Sequence, residues 1–173
     1  MPVEEIVESR LGIAILPVVG LQDTYGYVGF TAADLTEISV DEFVCERRPA
    51  RFRFTLAHEV GHIVLHADIY QHGNFRLSQE WEGFMAGIPV DQREWMEWQA
   101  NSFAGLLLVP GPALVERARA GLNSLRQAAP TAGVEILEDY LVDILAREFE
   151  VSAGVIRSRL DKDHVRENIG LYG

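Results

Sequence analysis

Residues 58 to 62 combine two histidines and a glutamate at a spacing that suits metal-assisted hydrolysis. His58 and His62 lie four residues apart, so a helix places their imidazoles one turn apart on one face. Two neutral imidazoles at this spacing can bind one zinc ion, and a catalytic site adds a third protein ligand and leaves one position to water. Glu59 stands beside them, where a carboxylate can take the proton of such a water. The pattern predicts a zinc site with Glu59 as the catalytic base.

The residues around this motif predict a buried helix over about 54–67. The polar residues share one narrow sector of the helix, and the rest of its circumference is apolar, which is typical of a core helix. The sector contains Thr55, His58, Glu59, His62 and His66. An alternative is a buried helix whose histidines are held by backbone or carboxylate partners. Because three of the five histidines of the chain lie in this sector, we favour the metal site.

A second helix, predicted over about 91–109, offers the third ligand. Its apolar face consists of Met96, Ala100, Phe103, Ala104, Leu107 and Leu108. Glu97 falls inside this face, and a buried carboxylate needs a cation or strong hydrogen bonds to offset its desolvation. We therefore predict Glu97 as the third metal ligand. Asn101, one turn later, is expected to brace a ligand histidine.

Other side chains compete for places in the site. Glu94 is the next candidate for the third ligand, and Asp68 occupies the position at which an elongated version of the motif has its last ligand. His66 lies about 6 Å further along the helix axis than His62, which favours a role in the cleft wall or as a hydrogen-bond partner. His72 lies in a long predicted connection, 67–90, and is a candidate cleft residue. An oxyanion donor is expected among His66, His72, Tyr27, Tyr70 and Tyr140.

The elements that must position these residues predict an α+β, mostly helical fold. Residues 26–30 and 35–40 read as strands and 43–45 as a possible third, which together form a small antiparallel sheet over about 26–45. Helices are predicted at 3–11, 112–129 and 137–149 and from 155 onwards, with Ser152 as an N-cap. We divide the chain into a zinc-peptidase-like domain, 1–130, and a helical C-terminal region, 131–173, that packs on the core.

Composition and charge exclude several classes of protein. The 173 residues carry a net charge of −11 at pH 7, so general electrostatics should not hold nucleic acid. The C-terminal helices also contain more acids than bases, and direct DNA binding is not expected. No segment is apolar enough to span a bilayer, and residues 1–5 do not read as the start of a signal peptide. The single cysteine, Cys45, fits a reduced cytoplasmic setting.

Three stretches together resemble the ImmA/IrrE family of metallo-endopeptidases, which are gluzincin-like peptidases. They are 53–62 with the trailing His66, 97–104 leading to Pro110, and 145–152 leading to Leu160. The resemblance implies a minimal protease core, a C-terminal region similar to a winged helix-turn-helix, and a metal bound by His58, His62 and Glu97 beside Glu59.

The resemblance also implies a substrate and a cofactor. The expected metal is zinc, with manganese as the alternative. The expected substrate is a helix-turn-helix repressor, whose cleavage would derepress a phage, mobile-element or stress-response operon. The alternative is a metal-containing antirepressor or toxin–antitoxin component that acts by contact without proteolysis.

Overall fold

The computed structural model describes residues 2–162 and 164–172. In chain order its elements are α1 (Val3–Glu5), a π-helical turn (Ile6–Arg10), β1 (Ala14–Val18), α2 (Leu21–Tyr25), β2 (Gly29–Thr31), β3 (Glu37–Asp41), α3 (Glu42–Arg47), α4 (Pro49–Gln71), α5 (Ser78–Gly87), α6 (Val90–Leu108), α7 (Gly111–Ala128), α8 (Val134–Phe149), α9 (Ala153–Lys162) and α10 (Val165–Asn168). The predicted α+β, mostly helical fold class is confirmed.

The sheet is mixed, so the prediction of an antiparallel sheet was wrong. Strand order is β1-β3-β2, with β2 antiparallel to β3 and β1 parallel to it, Ile15 lying opposite Ile38. The sequence analysis missed β1 because it contains Pro17, which cannot donate to a ladder. As an edge strand, β1 needs a ladder partner on one side only.

The third predicted strand, 43–45, is helical. The Asp41 carboxylate accepts a hydrogen bond from the Val44 backbone N–H at 3.2 Å, which caps α3 and ends β3. The predicted 67–90 connection is also more ordered than expected, because it contains α5. The Glu80 carboxylate accepts hydrogen bonds from the backbone N–H groups of Arg76 and Leu77, and these bonds stabilise the first turn of that helix.

The predicted metal ligands lie on α4 and α6. α4 is longer than predicted, and α6 has its predicted length. α4 continues past His62 to Gln71, with a local departure from helical geometry at His66 (φ −129°, ψ 16°). α4 and α6 approach each other closely at Gly61. A Cβ atom built on Gly61 would lie 3.1 Å from Cα of Ala100 and 3.2 Å from the Phe103 ring. Small residues at the crossing therefore set the distance between the two helices.

The chain divides into two compact units, with the division between Ala104 and Gly105. The second unit contains α7 to α10, and its described residues form no strand, so the wing of a winged helix-turn-helix is absent from this part of the chain. α8, a short turn and α9 follow one another as predicted, and the Ser152 hydroxyl accepts a hydrogen bond from the Val155 N–H at 3.4 Å. The boundary that we predicted between the first domain and the C-terminal region, at 130/131, falls between α7 and α8 and stays a prediction.

Membrane insertion of a helix finds no support in the described part of the chain. None of its helices combines the length and the apolar character that crossing a bilayer requires.

Because of the close approach at Gly61, we expect a side chain at this position to lower the stability of the fold. In Gly61→Ala the added methyl group meets backbone atoms of Ala100, so we expect the free energy of unfolding to fall by about 1–3 kcal/mol. Urea unfolding of the purified protein measures this change. Gly83→Ala is the matched control, because Gly83 lies in α5 and an added Cβ there has no heavy atom within 4 Å. This control should be neutral or more stable by up to about 1 kcal/mol. Equal stability of Gly61→Ala and wild type would contradict the steric constraint.

Candidate metal centre

Three side chains converge on one point between α4 and α6. The Nε2 atoms of His58 and His62 are 3.0 Å apart. The Glu97 carboxylate lies 3.2 Å from Nε2 of His58 and 3.4 Å from Nε2 of His62. His58 and His62 occupy successive turns of α4, and Glu97 comes from the first half of α6. The structure thus brings together the three residues that the sequence analysis named as ligands, and the cluster has the composition of a metal site.

Hydrogen bonds determine which nitrogen of His62 carries its proton. Nε2 of His66 lies 3.0 Å from the Gln99 side-chain oxygen, which can only accept, so this nitrogen donates. In neutral His66 the other nitrogen, Nδ1, must then accept, and it lies 3.0 Å from Nδ1 of His62. Nδ1 of His62 is therefore the donor, and its Nε2 presents a lone pair to the cluster. His66 was predicted as a cleft or hydrogen-bonding residue, and the structure places it in contact with His62.

The same reasoning applies to His58. Its Nδ1 lies 3.2 Å from the Asn101 side-chain oxygen and donates to it, which leaves a lone pair on Nε2. Two imidazole lone pairs and a carboxylate oxygen then face one another, and none of the three brings a proton. Such a set repels itself unless a cation sits between its members. Two imidazoles and a carboxylate suit zinc, and manganese also accepts this set. The residues present therefore fit a divalent metal.

The charges in the cluster shift the pKa values of two members. Burial raises the pKa of Glu97, but hydrogen bonds with His58 and His62 outweigh it and leave the pKa well below its usual value. Burial lowers the pKa of His58, whereas the hydrogen bond with Glu97 and the charge of Glu59 raise it more, so the net shift is upward. Both shifts belong to the metal-free cluster, in which a proton on an imidazole Nε2 takes the place that a cation would occupy.

Glu59 lies in the wall of the same cavity and is held from the sheet. Only 4% of the residue is exposed, and its Oε2 accepts a hydrogen bond from the hydroxyl of the fully buried Thr31 at 2.9 Å. β2 can approach α4 this closely because Gly29 has no side chain, since a Cβ there would lie 2.7 Å from the Thr55 methyl group. Thr31 was not predicted as a site residue, because the predicted strand ended at residue 30. Its place two residues after Gly29 in a strand was the signal available.

A cavity of about 370 Å³ opens in front of the cluster. Its lining includes His58, Glu59, His62, Glu97, Thr55, Arg51, Tyr27, Tyr70 and Trp81. A larger groove of about 700 Å³ adjoins it and shares Tyr27, Trp81 and Glu97 with it. The cluster therefore faces an open cleft.

The remaining candidates lie elsewhere. Nδ1 of His72 contacts the carbonyl oxygen of Asp68, one turn back on its own helix, and the structure does not bring His72 into the cavity. Glu94 lines the larger groove instead of joining the three donors. Asp68 is exposed on α4, which bends locally at His66 but continues as a helix past the position where the elongated motif would turn.

Comparison with known proteins gives one finding. A peptidase family model, M78, described as the IrrE N-terminal-like domain, matches residues 45–161, a range that includes all three donors and Glu59. No curated protein and no solved structure gives a significant match to the chain.

The three-donor cluster makes a prediction for metal content. We expect the purified wild type to carry about one zinc or manganese ion per chain and Glu97→Ala to lose most of it, because two imidazoles alone hold such an ion weakly. Mass spectrometry of the metal in dialysed samples measures both. Glu94→Ala, which removes a carboxylate of the same helix outside the cluster, should keep its metal. If Glu97→Ala carried as much metal as the wild type, Glu97 would not be a metal ligand.

Proposed function

The chain belongs to the M78 peptidase family of IrrE N-terminal-like domains, and from this premise we propose that it is a metal-dependent endopeptidase with a narrow substrate range. The observation that carries the proposal is the convergence of two imidazole lone pairs and a carboxylate beside the buried Glu59. In this proposal His58, His62 and Glu97 are the metal ligands, and Glu59 is the catalytic base.

The chemistry divides between the metal and the side chains around it. When bound, a divalent metal polarises the scissile carbonyl and lowers the pKa of the attacking water. Glu59 takes the proton of that water and passes it to the leaving amine. The hydrogen bond from Thr31 occupies one carboxylate oxygen of Glu59 and fixes the orientation of the group. The second carboxylate oxygen is then the one that handles the proton.

Tyr70 is the side chain best placed to stabilise the developing oxyanion. The Tyr27 hydroxyl already donates to the carbonyl oxygen of Ser78 at 2.9 Å, and His66 lies between His62 and Gln99. Tyr70 lines the cavity with the cluster, and its ring centroid is 5.5 Å from that of His62.

The protonation state of Tyr70 suits this role. Burial raises the pKa of its hydroxyl well above the usual value, and the charges of Glu59 and Glu97 raise it further. The group therefore stays protonated at neutral pH and can donate a hydrogen bond to a negative oxygen.

The edge of the sheet gives an extended substrate a place to lie. β2 pairs with β3 alone, and the residues that lead into it, Tyr27 and Val28, line the cavity together with Gly29. A peptide in the cleft can pair with such an edge by backbone hydrogen bonds, which hold many sequences in one register. Side-chain pockets must then supply the selectivity.

A protein substrate fits the described residues better than DNA. α9 carries two arginines, and one of them, Arg157, forms an ion pair with Asp139 at 2.8 Å. Arg159 is buried and donates to the carbonyl oxygen of Val109. On the family resemblance we propose a cytoplasmic helix-turn-helix repressor as substrate, cleaved to derepress a phage, mobile-element or stress-response operon.

The activity is tested by removing the base while keeping the metal. We expect Glu59→Gln to retain wild-type metal content but to lower the rate of peptide cleavage by about 10²–10⁴-fold, because no group then accepts the proton. Zinc-loaded protein is added to a cell lysate, and mass spectrometry identifies new N-termini that appear with wild type and not with the variant. A new N-terminus in a helix-turn-helix repressor is the expected result.

The same experiment addresses the contact-only alternative. If Glu59→Gln inactivates the repressor as well as wild type does, with neither protein cutting it, the chain acts as an antirepressor or toxin–antitoxin component.

The role of Tyr70 makes a separate prediction. Tyr70→Phe keeps the ring packing and removes only the hydroxyl, so we expect kcat to fall by about 10²-fold with KM and metal content little changed. Tyr27→Phe is the matched control, because its hydroxyl is engaged with a backbone carbonyl. Steady-state kinetics on the identified substrate separates kcat from KM. Equal kcat values for the two variants would assign oxyanion stabilisation to another group.

A further inference from the structure

The larger groove beside the metal cluster is an aromatic trough. Its walls are Tyr25, Tyr27, Trp81 and Trp98, and Met85 contributes to its floor. The Tyr27 and Trp81 ring centroids are 4.3 Å apart, and the Tyr25 ring stacks on Tyr27 at 5.7 Å. Aromatic and methionine side chains favour a large apolar occupant, because burying their apolar surface away from water gives a large favourable free energy.

The Trp98 side of the trough is open to solvent. Trp98 is 51% exposed and stacks at 4.7 Å on Trp95, which is 57% exposed and does not line the trough. Two adjacent exposed tryptophans on one helix form an apolar surface that usually marks an interaction site. Trp98 lies at the rim, where an occupant of the trough would cover it.

The trough is continuous with the proposed catalytic cavity. Tyr27, Trp81 and Glu97 line both, and Glu97 also belongs to the metal cluster. Successive residues of an extended peptide are about 3.3 Å apart and point to alternate sides. A side chain in the trough must therefore belong to a residue close to the bond at the metal cluster.

The charges that line the trough bear on which substrate residues can lie next to the one whose side chain enters it. Two exposed carboxylates, Glu82 and Glu94, line it in addition to Glu97. The one guanidinium group in its lining, that of Arg93, donates to the Met85 carbonyl oxygen at 3.3 Å. The net negative rim complements a basic residue and repels an acidic one.

We propose that the trough is the specificity site for the protein substrate: it holds a large apolar side chain next to the scissile bond, and Glu82 and Glu94 select a lysine or arginine beside it. This inference rests on the proposed endopeptidase function and names the substrate class that the function acts on. Such a preference reduces the number of peptide bonds that the cleft accepts.

The first test profiles cleavage of a peptide library. Zinc-loaded wild type is incubated with peptides from a proteome digest, and mass spectrometry reads the residues around each new cut. We expect Phe, Leu, Met or Trp to dominate one position next to the cut, with Lys or Arg enriched beside it. Cuts without either preference would overturn the inference and leave the proteolytic function standing.

Variants then assign the preference to the trough. Trp98→Ala should lower kcat/KM for the preferred peptides by at least about fivefold, a typical loss for an aromatic anchor. Trp95→Ala, which removes the stacking partner outside the trough, should have a much smaller effect. Glu82→Gln combined with Glu94→Gln should erase the basic preference, whereas Asp91→Asn, on the same helix outside the trough, should retain it. Equal effects of each variant and its control would overturn the assignment.

A binding measurement separates this inference from the proposed function. Zinc-loaded Glu59→Gln is titrated with two synthetic peptides of equal length, one with Phe-Lys and the other with Ser-Glu at its centre, and isothermal titration calorimetry measures the affinity of each. Preferential binding of the Phe-Lys peptide that is lost in Glu59→Gln/Trp98→Ala would support the trough as the specificity site. If the wild type also cuts no peptide, the proposed proteolysis is rejected and the specificity site still stands. Equal binding of the two peptides, or no binding of either, would overturn the inference.

Discussion

The site depends on how closely α4 and α6 approach each other. Glycine at position 61, inside the metal-binding motif, faces the backbone of Ala100, and a single added methyl group would press on that backbone. Because the helices cross at this distance, the carboxylate of Glu97 reaches the imidazoles of His58 and His62. If the helices were further apart, the Glu97 carboxylate and the two imidazoles could not contact the same metal ion. The glycine of the motif is therefore as important to the geometry as its histidines.

α6 supplies more than a ligand. Asn101 and Gln99 come from the same helix and accept hydrogen bonds from His58 and His66, and His66 in turn orients His62. These contacts set the tautomers of both predicted ligands, so that a metal meets lone pairs already directed at it. The crossing of two helices thus determines the ligand set and its protonation together, which explains why one close contact controls so much of the site.

The small sheet contributes from the opposite side of the cleft. Its edge strand, β2, holds Glu59 through Thr31 and leads back to Tyr27, which lies in the wall shared by the cavity and the aromatic trough. The proposed base, the proposed place for an extended peptide and one wall of the proposed specificity site therefore all adjoin one short strand. A strand of three residues can do this only because Gly29 lets it lie directly against α4.

The sequence by itself determined the features that depend on spacing along one helix. His58, Glu59 and His62 share a face because of helical periodicity, and Glu97 was found because a carboxylate on an apolar face needs a cation. The approximate bounds of α6, α7 and α8 and the family resemblance also came from local patterns, and the family match confirms the resemblance. Thr31, the trough and the parallel pairing of β1 with β3 depend on contacts between residues far apart in the chain. Only the tertiary structure decided them, because periodicity shows which face of an element is buried and does not show which distant element buries it.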